Sequence, residues 1–175
     1  MVRREVPFGE CIGAAYERLT HGGCLLSTVG ADGVANTMTV SWALLGYFYH
    51  GRPMVVVAVK PARHSFGLLE AVAEFVLSVP TPELAEAVAY CGRASGRDGD
   101  KFVAARLTAV PSVHVRAPSI AECPMNIECR VYHAERPPHG ILTPEHRREP
   151  VEDQHTIYFA EVLGCYAGGM GEERE

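Results

Sequence analysis

The sequence predicts a mainly β fold, an antiparallel barrel with flanking helices, and three observations predict it. Apolar runs of strand length recur along the chain, some alternating and some continuous. Turn signals separate them, in place of the regular strand–helix alternation that builds a parallel sheet. Glycine and proline, at 17 and 12 of 175 residues, together exceed their usual share of roughly an eighth. A small barrel closes its own edges and leaves binding to its rim and flanking helices.

Cys24 to Gly30 (CLLSTVG) is an apolar run ending in Ala31-Asp32-Gly33, and Asp-Gly suits a tight hairpin. Val34 to Leu45 alternates. Ala35, Thr37, Thr39 and Ser41 share one face and Asn36, Met38, Val40 and Trp42 the other, which predicts a strand. Met54 to Val59 is a continuous apolar run, fit for a strand covered on both faces, and Glu74 to Val79 is another. Between them His64 to Val72 predicts a short amphipathic helix. Pro82 to Tyr90 predicts a second, with Thr81 at the N-cap, Glu83 in the first turn and Gly92 near the C-cap. A third short helix starts near Asp98 and carries Lys101, Phe102 and Val103. Ser112 to Arg116, Asn126 to Glu135 and Thr156 to Cys165 read as strands. Arg136 to Asp153 is polar and proline-rich and reads as an exposed loop; Gly168 to Glu175 reads as a frayed tail. The expectation is one domain over residues 1–175.

Composition excludes several functions. The formal net charge of −5 argues against a general nucleic-acid binder. No apolar run approaches the roughly 18–20 residues of a membrane span, and the N-terminus lacks the apolar core of a signal peptide. A cytoplasmic protein without a membrane partner is expected. The six cysteines (Cys11, Cys24, Cys91, Cys123, Cys129, Cys165) form no CxxC pair, so thiols are expected, several of them buried. Cys123, Cys129 and His133 match no zinc spacing, and no metal site is expected. GxGxxG, GxxxxGK[ST] and HExxH are all absent, which disfavours a Rossmann dehydrogenase, a P-loop NTPase and a zincin.

Two polar segments carry the chain's two lysines. Lys60-Pro61-Ala62-Arg63-His64-Ser65 runs from a strand end into a helix, and Ser95-Gly96-Arg97-Asp98-Gly99-Asp100-Lys101 leads into another. A helix N-terminus offers free N–H groups and about half a unit of positive charge, so it attracts phosphate. Arg63, Lys101, Ser65 and Ser95 complete such a cradle; the bland alternative is a pair of solvated turns with capping serines. Asn36 to Trp42 is either a half-exposed strand rich in threonine for β-propensity or a polar strand that hydrogen-bonds a planar ligand. Trp42, the single tryptophan, belongs by default to the core or to a core–ligand boundary. His155 opens the last strand, as a cap or as a site residue.

Taken in order, Gly33–Trp42, Lys60–Ser65, Glu74–Pro80, Cys91-Gly92, Ser95–Phe102, Ala117-Pro118, Glu128-Cys129 and His155–Ile157 resemble the flavin-reductase-like proteins. These are the FMN-binding split-barrel group that includes flavoredoxins. The likeness runs from Gly22 to Val162. It implies a six-stranded Greek-key split barrel, a homodimer, and FMN at the subunit interface, with NAD(P)H as reductant and free flavin or another protein as electron acceptor. It maps Asn36, Thr37, Met38, Thr39, Val40, Ser41 and Trp42 to the isoalloxazine, and Lys60, Arg63, His64 and Ser65 to the phosphate. Cys91, Gly92, Ser95, Gly96 and Lys101 map to the segment closing over the ribityl phosphate. His155 matches the histidine near flavin or nicotinamide; many relatives carry Gly-Asp before it, where this chain has Asp153-Gln154. Such chemistry needs no acid–base triad, because the cofactor carries it. Two other readings share the residues: an FMN-binding electron carrier that does not use nicotinamide, and a small-molecule-binding barrel with no flavin.

Overall fold

A computed structural model describes residues 3–140 and 150–168. Ten strands and four α-helices occur among them: β1 Arg4–Glu5, α1 Phe8–Thr20, β2 Cys24–Val29, β3 Ala35–Val40, β4 Ala43–Phe48, β5 Arg52–Val59, α2 His64–Ala71, β6 Glu74–Val79, α3 Ala85–Arg93, α4 Lys101–Ala104, β7 Ala109–Val110, β8 Ser119–Ile120, β9 Met125–Glu135 and β10 Thr156–Ala167. The main sheet is antiparallel throughout, in the order β3-β2-β6-β9-β10-β5-β4, with β1 added on the C-terminal half of β10. The two ends of this path, β3 and β4, are neighbours in sequence. The sheet therefore curls into a barrel whose seam is crossed by Ser41 and Trp42, and the Ala58 N–H donates to the Trp42 carbonyl at 3.1 Å, which extends the β4–β5 ladder one residue into the seam.

Register explains the apolar runs. Leu26, Met38, Leu77 and Ile127 stand side by side across β3, β2, β6 and β9 and point into the barrel. Leu25, one residue away, points out, where α3 and α4 cover it with Val88, Cys91 and Phe102. Cys24–Val29 is thus buried on both faces, and alternation is lost. On the other side of the barrel Leu45, Val55, Ala160 and Val131 face inward. Helix α1 places Phe8, Cys11 and Ala15 in the same core. Full burial of each large side chain contributes about 1.5–3 kcal/mol.

The Asp32-Gly33 turn forms as expected. Gly33 takes φ +85°, a left-handed conformation that glycine adopts without steric cost, and Asp32 Oδ1 accepts from the Val34 N–H. Four readings need correction. The run Val34–Leu45 is two strands, broken at the exposed Ser41-Trp42 where the sheet turns the seam. The single tryptophan is accordingly out of the core. Ser112–Arg116 is not a strand: carboxylates from other strands pin it as a loop. Glu128 accepts from the N–H groups of Val113 (2.9 Å) and His114 (2.6 Å), and Glu74 from that of Arg116 (2.9 Å). The second helix begins as a 3₁₀ turn over Pro82–Leu84 and continues to Arg93, so Gly92 lies inside it and Thr81 makes no capping bond to the helix. Finally, α1 carries no sequence cap and was not expected. Of the expected loop 136–153, residues 136–140 and 150–153 are exposed or half-buried, and 141–149 lie outside the described residues. The tail reading also falls outside them, apart from Gly168, whose N–H donates to Pro124. Among the described residues no helix is long and apolar enough to cross a membrane.

Candidate functional site

Helix α2 starts immediately after β5, through the turn Lys60–Arg63, where the Arg63 N–H donates to the Lys60 carbonyl. No side chain caps α2, so its first turn keeps free donor capacity and positive partial charge. Ser65, in this turn, is buried. Its oxygen accepts from Asn36 Nδ2 at 2.8 Å and from Thr28 Oγ1 at 3.2 Å. With both lone pairs engaged, the hydroxyl proton is left to donate to something else.

The segment between α3 and α4 faces this turn. Arg63 Nη1 donates to the Gly92 carbonyl (3.2 Å) and Arg97 Nη1 to the Ala62 carbonyl (3.0 Å), which brace the two segments. Lys101 is 4% exposed and donates to the carbonyls of Cys91 (2.8 Å) and Ala94 (3.1 Å). Gly96 packs so closely that a Cβ there would stand 2.7 Å from the His64 ring and nearer still to the Asn36 amide oxygen. Only glycine fits.

Between the segments lies a recess of about 80 Å³, lined by Met38, Ala62, Arg63, His64, Ser65, Cys91, Arg93, Ala94, Ser95, Gly96 and Lys101. That volume suits one oxyanion rather than a ring system. No carboxylate lines it. Burial first, then the charges of Arg97 and Lys101, hold the His64 imidazole below its ordinary pKa, and burial does the same to the Lys101 ammonium. A cationic recess with no carboxylate in its lining, next to an uncapped helix start, is chemically an anion site.

Of the expected site residues, the recess gathers Met38, Arg63, His64, Ser65, Cys91, Ser95, Gly96 and Lys101, with Asn36 and Gly92 bonded to its walls. Lys60 follows β5 and opens the turn that leads to α2. Thr39 Oγ1 donates to the Val88 carbonyl and so fastens α3 to β3. Thr37 lies on the same face, its buried hydroxyl without a partner. Val40 is in the barrel core. Ser41 and Trp42 lie exposed at the seam, and the Trp42 ring stands 4.8 Å from that of His155. Thr28, Arg93 and Arg97 were not singled out by sequence reasoning. The arginines flank the same Gly-rich segment and were legible as charge; Thr28 sits in an apolar run, and only the β2–β3 register (Thr28↔Asn36) reveals it. Larger hollows of about 430, 630 and 140 Å³ lie at the β4–β5 tip, between α3 and α4, and between the end of α1 and the start of α3, and gather none of the expected residues. Among the described residues no cluster of side chains suits a metal ion.

An antiparallel split barrel with an anion recess where β5 enters a helix defines the class of fold. The chain belongs to the flavin reductase like domain family, whose sequence model matches residues 16–174. It is 33% identical over 128 residues to an uncharacterized protein of Archaeoglobus fulgidus, covering 73% of this chain and 63% of that one. The chain spans 55–63% of the length of three curated relatives that it matches. In structure it is similar to flavoredoxin of Desulfovibrio vulgaris, with TM-score 0.67 and 26% identity over 82% of this chain and 68% of that one. It is similar also to an FMN-binding domain of a flavin reductases-like enzyme from Shewanella baltica, with TM-score 0.67 and 21% identity over 95% and 77%.

Proposed function

We propose that this chain binds FMN with its phosphate in the α2 recess and acts as an NAD(P)H-dependent oxidoreductase, passing electrons through FMN to free flavin or another acceptor. The observation that carries this reading is the recess: phosphate-sized, walled by Arg63, Arg93 and Lys101, free of carboxylates, and fed by the Ser65 hydroxyl proton. The missing Cβ of Gly96 is part of the fit, since any side chain there would displace His64 and Asn36.

When bound, FMN supplies hydride and electron chemistry that side chains lack. The first-turn N–H groups of α2 and the Ser65 hydroxyl donate to a phosphate, and Arg63 adds a charge-assisted contact. Asn36 and Thr28 hold Ser65 in the donating rotamer. Lys101 fixes the 91–96 wall through two carbonyls. Trp42 and His155, in tilted ring contact at the seam, line the rim and orient what lies there. The remaining strand candidates act by packing, Thr39 through α3 and Val40 through the core.

The reading includes a homodimer with FMN near its interface. The outer row Leu44, Val56 and Phe159 runs across β4, β5 and β10 as an apolar face that ends at His133 on β9, with Leu44 65% exposed, and it continues to Trp42, 55% exposed. A second copy covering that face would reach the rim. All six cysteines are free and buried, which supports a reducing compartment, the cytoplasm.

The test is the visible spectrum of the purified chain before and after anaerobic NADH or NADPH. Bound flavin absorbance, bleached by nicotinamide, is expected. Arg63→Ala should weaken FMN roughly 10- to 150-fold, the range of one charge-assisted hydrogen bond of about 1.5–3 kcal/mol. A colourless chain that takes up no FMN overturns the flavin reading. A coloured chain that neither nicotinamide bleaches overturns the reductase reading and leaves an electron carrier.

A further inference from the structure

At the β4–β5 tip the outer face of the barrel opens into a hollow of about 430 Å³. Phe48, Tyr49 and Tyr132 wall it, Met54 lies at its floor, and Arg52 and Glu161 complete the lining. It shares no lining residue with the α2 recess. Its size is within the roughly 300–1,000 Å³ of small-molecule sites, which combine aromatic walls with a few polar groups. The three rings are 46%, 72% and 56% exposed, and none belongs to the core. We propose that this hollow binds a free aromatic amino acid, with its ring on the aromatic wall, its carboxylate on Arg52 and its ammonium on Glu161.

Local sequence builds the hollow. Register sets Gly46 and Glu161 on either side of Met54, and a Cβ on Gly46 would stand in open space, so the outer face is left open beside Met54. On β9 a bulge falls between the pairs Phe159↔His133 and Ala160↔Val131, which makes Tyr132 the extra residue. A bulge re-aims a side chain, and the Tyr132 hydroxyl reaches past β10 to donate to Met54 Sδ on β5 at 3.1 Å. At the tip the Phe48 and Tyr49 rings meet edge to face at 4.6 Å, and His50 turns the chain back into β5 at φ +59°.

The charges select the ligand. Glu161 lies opposite Met54 and Arg52 two residues before it, so the two are diagonal neighbours on adjacent strands, about 7–8 Å apart along the backbone. Among the described residues neither joins an ion pair. Arg130, which faces Glu161 from β9, turns instead to Glu74 at 3.3 Å. A cation and an anion held apart beside one aromatic wall complement a molecule that carries ammonium, carboxylate and ring around a single carbon. A guanidinium accepts a carboxylate in a two-point fork, and rings meet offset or edge to face at centroid distances of about 4.5–7 Å. An aromatic acid without an amine would set its carboxylate against an unanswered Glu161, and an aromatic amine would leave Arg52 unanswered.

The experiment titrates the full, isotope-labelled chain with L-tryptophan and follows its amide resonances. Saturable shifts at Phe48, Tyr49, Arg52, Tyr132 and Glu161 are expected, with a Kd of about 1 mM or tighter. Tryptamine, which lacks the carboxylate, and indole-3-propionate, which lacks the ammonium, should each bind about three- to fivefold more weakly, the range of one exposed ion pair. L-Alanine, which lacks the ring, should give no saturable shift. Arg52→Ala should bring L-tryptophan and tryptamine level, and Glu161→Gln should do so for L-tryptophan and indole-3-propionate; both side chains are exposed, so both variants should fold. Absence of a saturable shift at the hollow overturns the proposal. So does wild-type protein that binds tryptamine or indole-3-propionate as tightly as L-tryptophan.

Discussion

Asn36 Nδ2 donates to Ser65 Oγ over 2.8 Å, so a side chain of the seam strand β3 reaches into the first turn of α2. Ser65→Ala removes the donor aimed into the recess and leaves the buried Asn36 and Thr28 groups short of an acceptor. FMN binding should weaken about tenfold or more, and stability should fall by about 1–3 kcal/mol. Fluorescence titration with FMN and urea denaturation measure the two. Unchanged affinity would remove Ser65 from the phosphate site.

His64 provides a pH signature. Burial and the charges of Arg97 and Lys101 set its folded pKa below the ordinary 6.5, so the unfolded chain takes up the proton first as pH falls. His64 therefore costs stability below about pH 6.5 and is neutral in effect above it. A bound phosphate supplies the missing counter-charge and should move the midpoint upward. By linkage, phosphate of a given charge state should bind more tightly as pH falls through that raised midpoint. NMR titration of the His64 ring with and without phosphate checks this; a midpoint that phosphate leaves in place would place the anion elsewhere.

Lys101→Met keeps the stem and removes the ammonium that bonds two carbonyls. The 91–96 wall should loosen, at a stability cost of about 1–3 kcal/mol, with FMN weakened in parallel. Hydrogen exchange at Ser95 and Gly96 should accelerate. A variant that loses FMN while these amides stay protected would instead make Lys101 a direct phosphate ligand.

Glu128 is 0% exposed and holds the 112–116 loop by two backbone donors. Glu128→Gln replaces one acceptor oxygen with a donor facing an N–H. A loss of about 2–3 kcal/mol in denaturant is expected, with faster exchange at Val113 and His114. Full stability would mean that the loop is held by Arg116 and Glu74 alone.

Leu44→Asp places a charge on the apolar outer row. If that face joins two copies, sedimentation should show dimeric wild type and a monomeric variant that remains folded. A wild type that sediments as a 19.0 kDa monomer with full flavin occupancy would remove the dimer.

The elements legible in sequence are those with local causes. The β2–β3 hairpin follows from Asp32-Gly33, and α4 from Asp100, which caps it, although it starts at Lys101 and not near Asp98 as expected. The misread elements have causes elsewhere in the chain. The alternation of Asn36–Trp42 continues through the seam, because the break at Ser41 is imposed by sheet closure. Ser112–Arg116 has strand composition but is held by Glu128 and Glu74 from strands distant in sequence. Helix α1 contains Gly9 and Gly13 and lacks a cap, so it owes its existence to the core it covers. At the site, Arg63, His64 and Ser65 could be read as a helix start, whereas the engagement of Lys101 with two carbonyls could not.

The position of β10 also bears on biosynthesis. The last strand in the chain is not an edge; it is inserted between β9 and β5. A nascent chain emerging from the ribosome can fold the β2–β3 and β4–β5 hairpins early, since their partners are close in sequence. Yet β5 and β9 must wait with bare edges until residues 156–167 clear the exit tunnel. Those edges are Val55–Val59, apolar throughout, and Ile127–Val131, where Ile127 and Cys129 alternate with Glu128 and Arg130. They are where chaperone binding, or aggregation upon truncation, should concentrate.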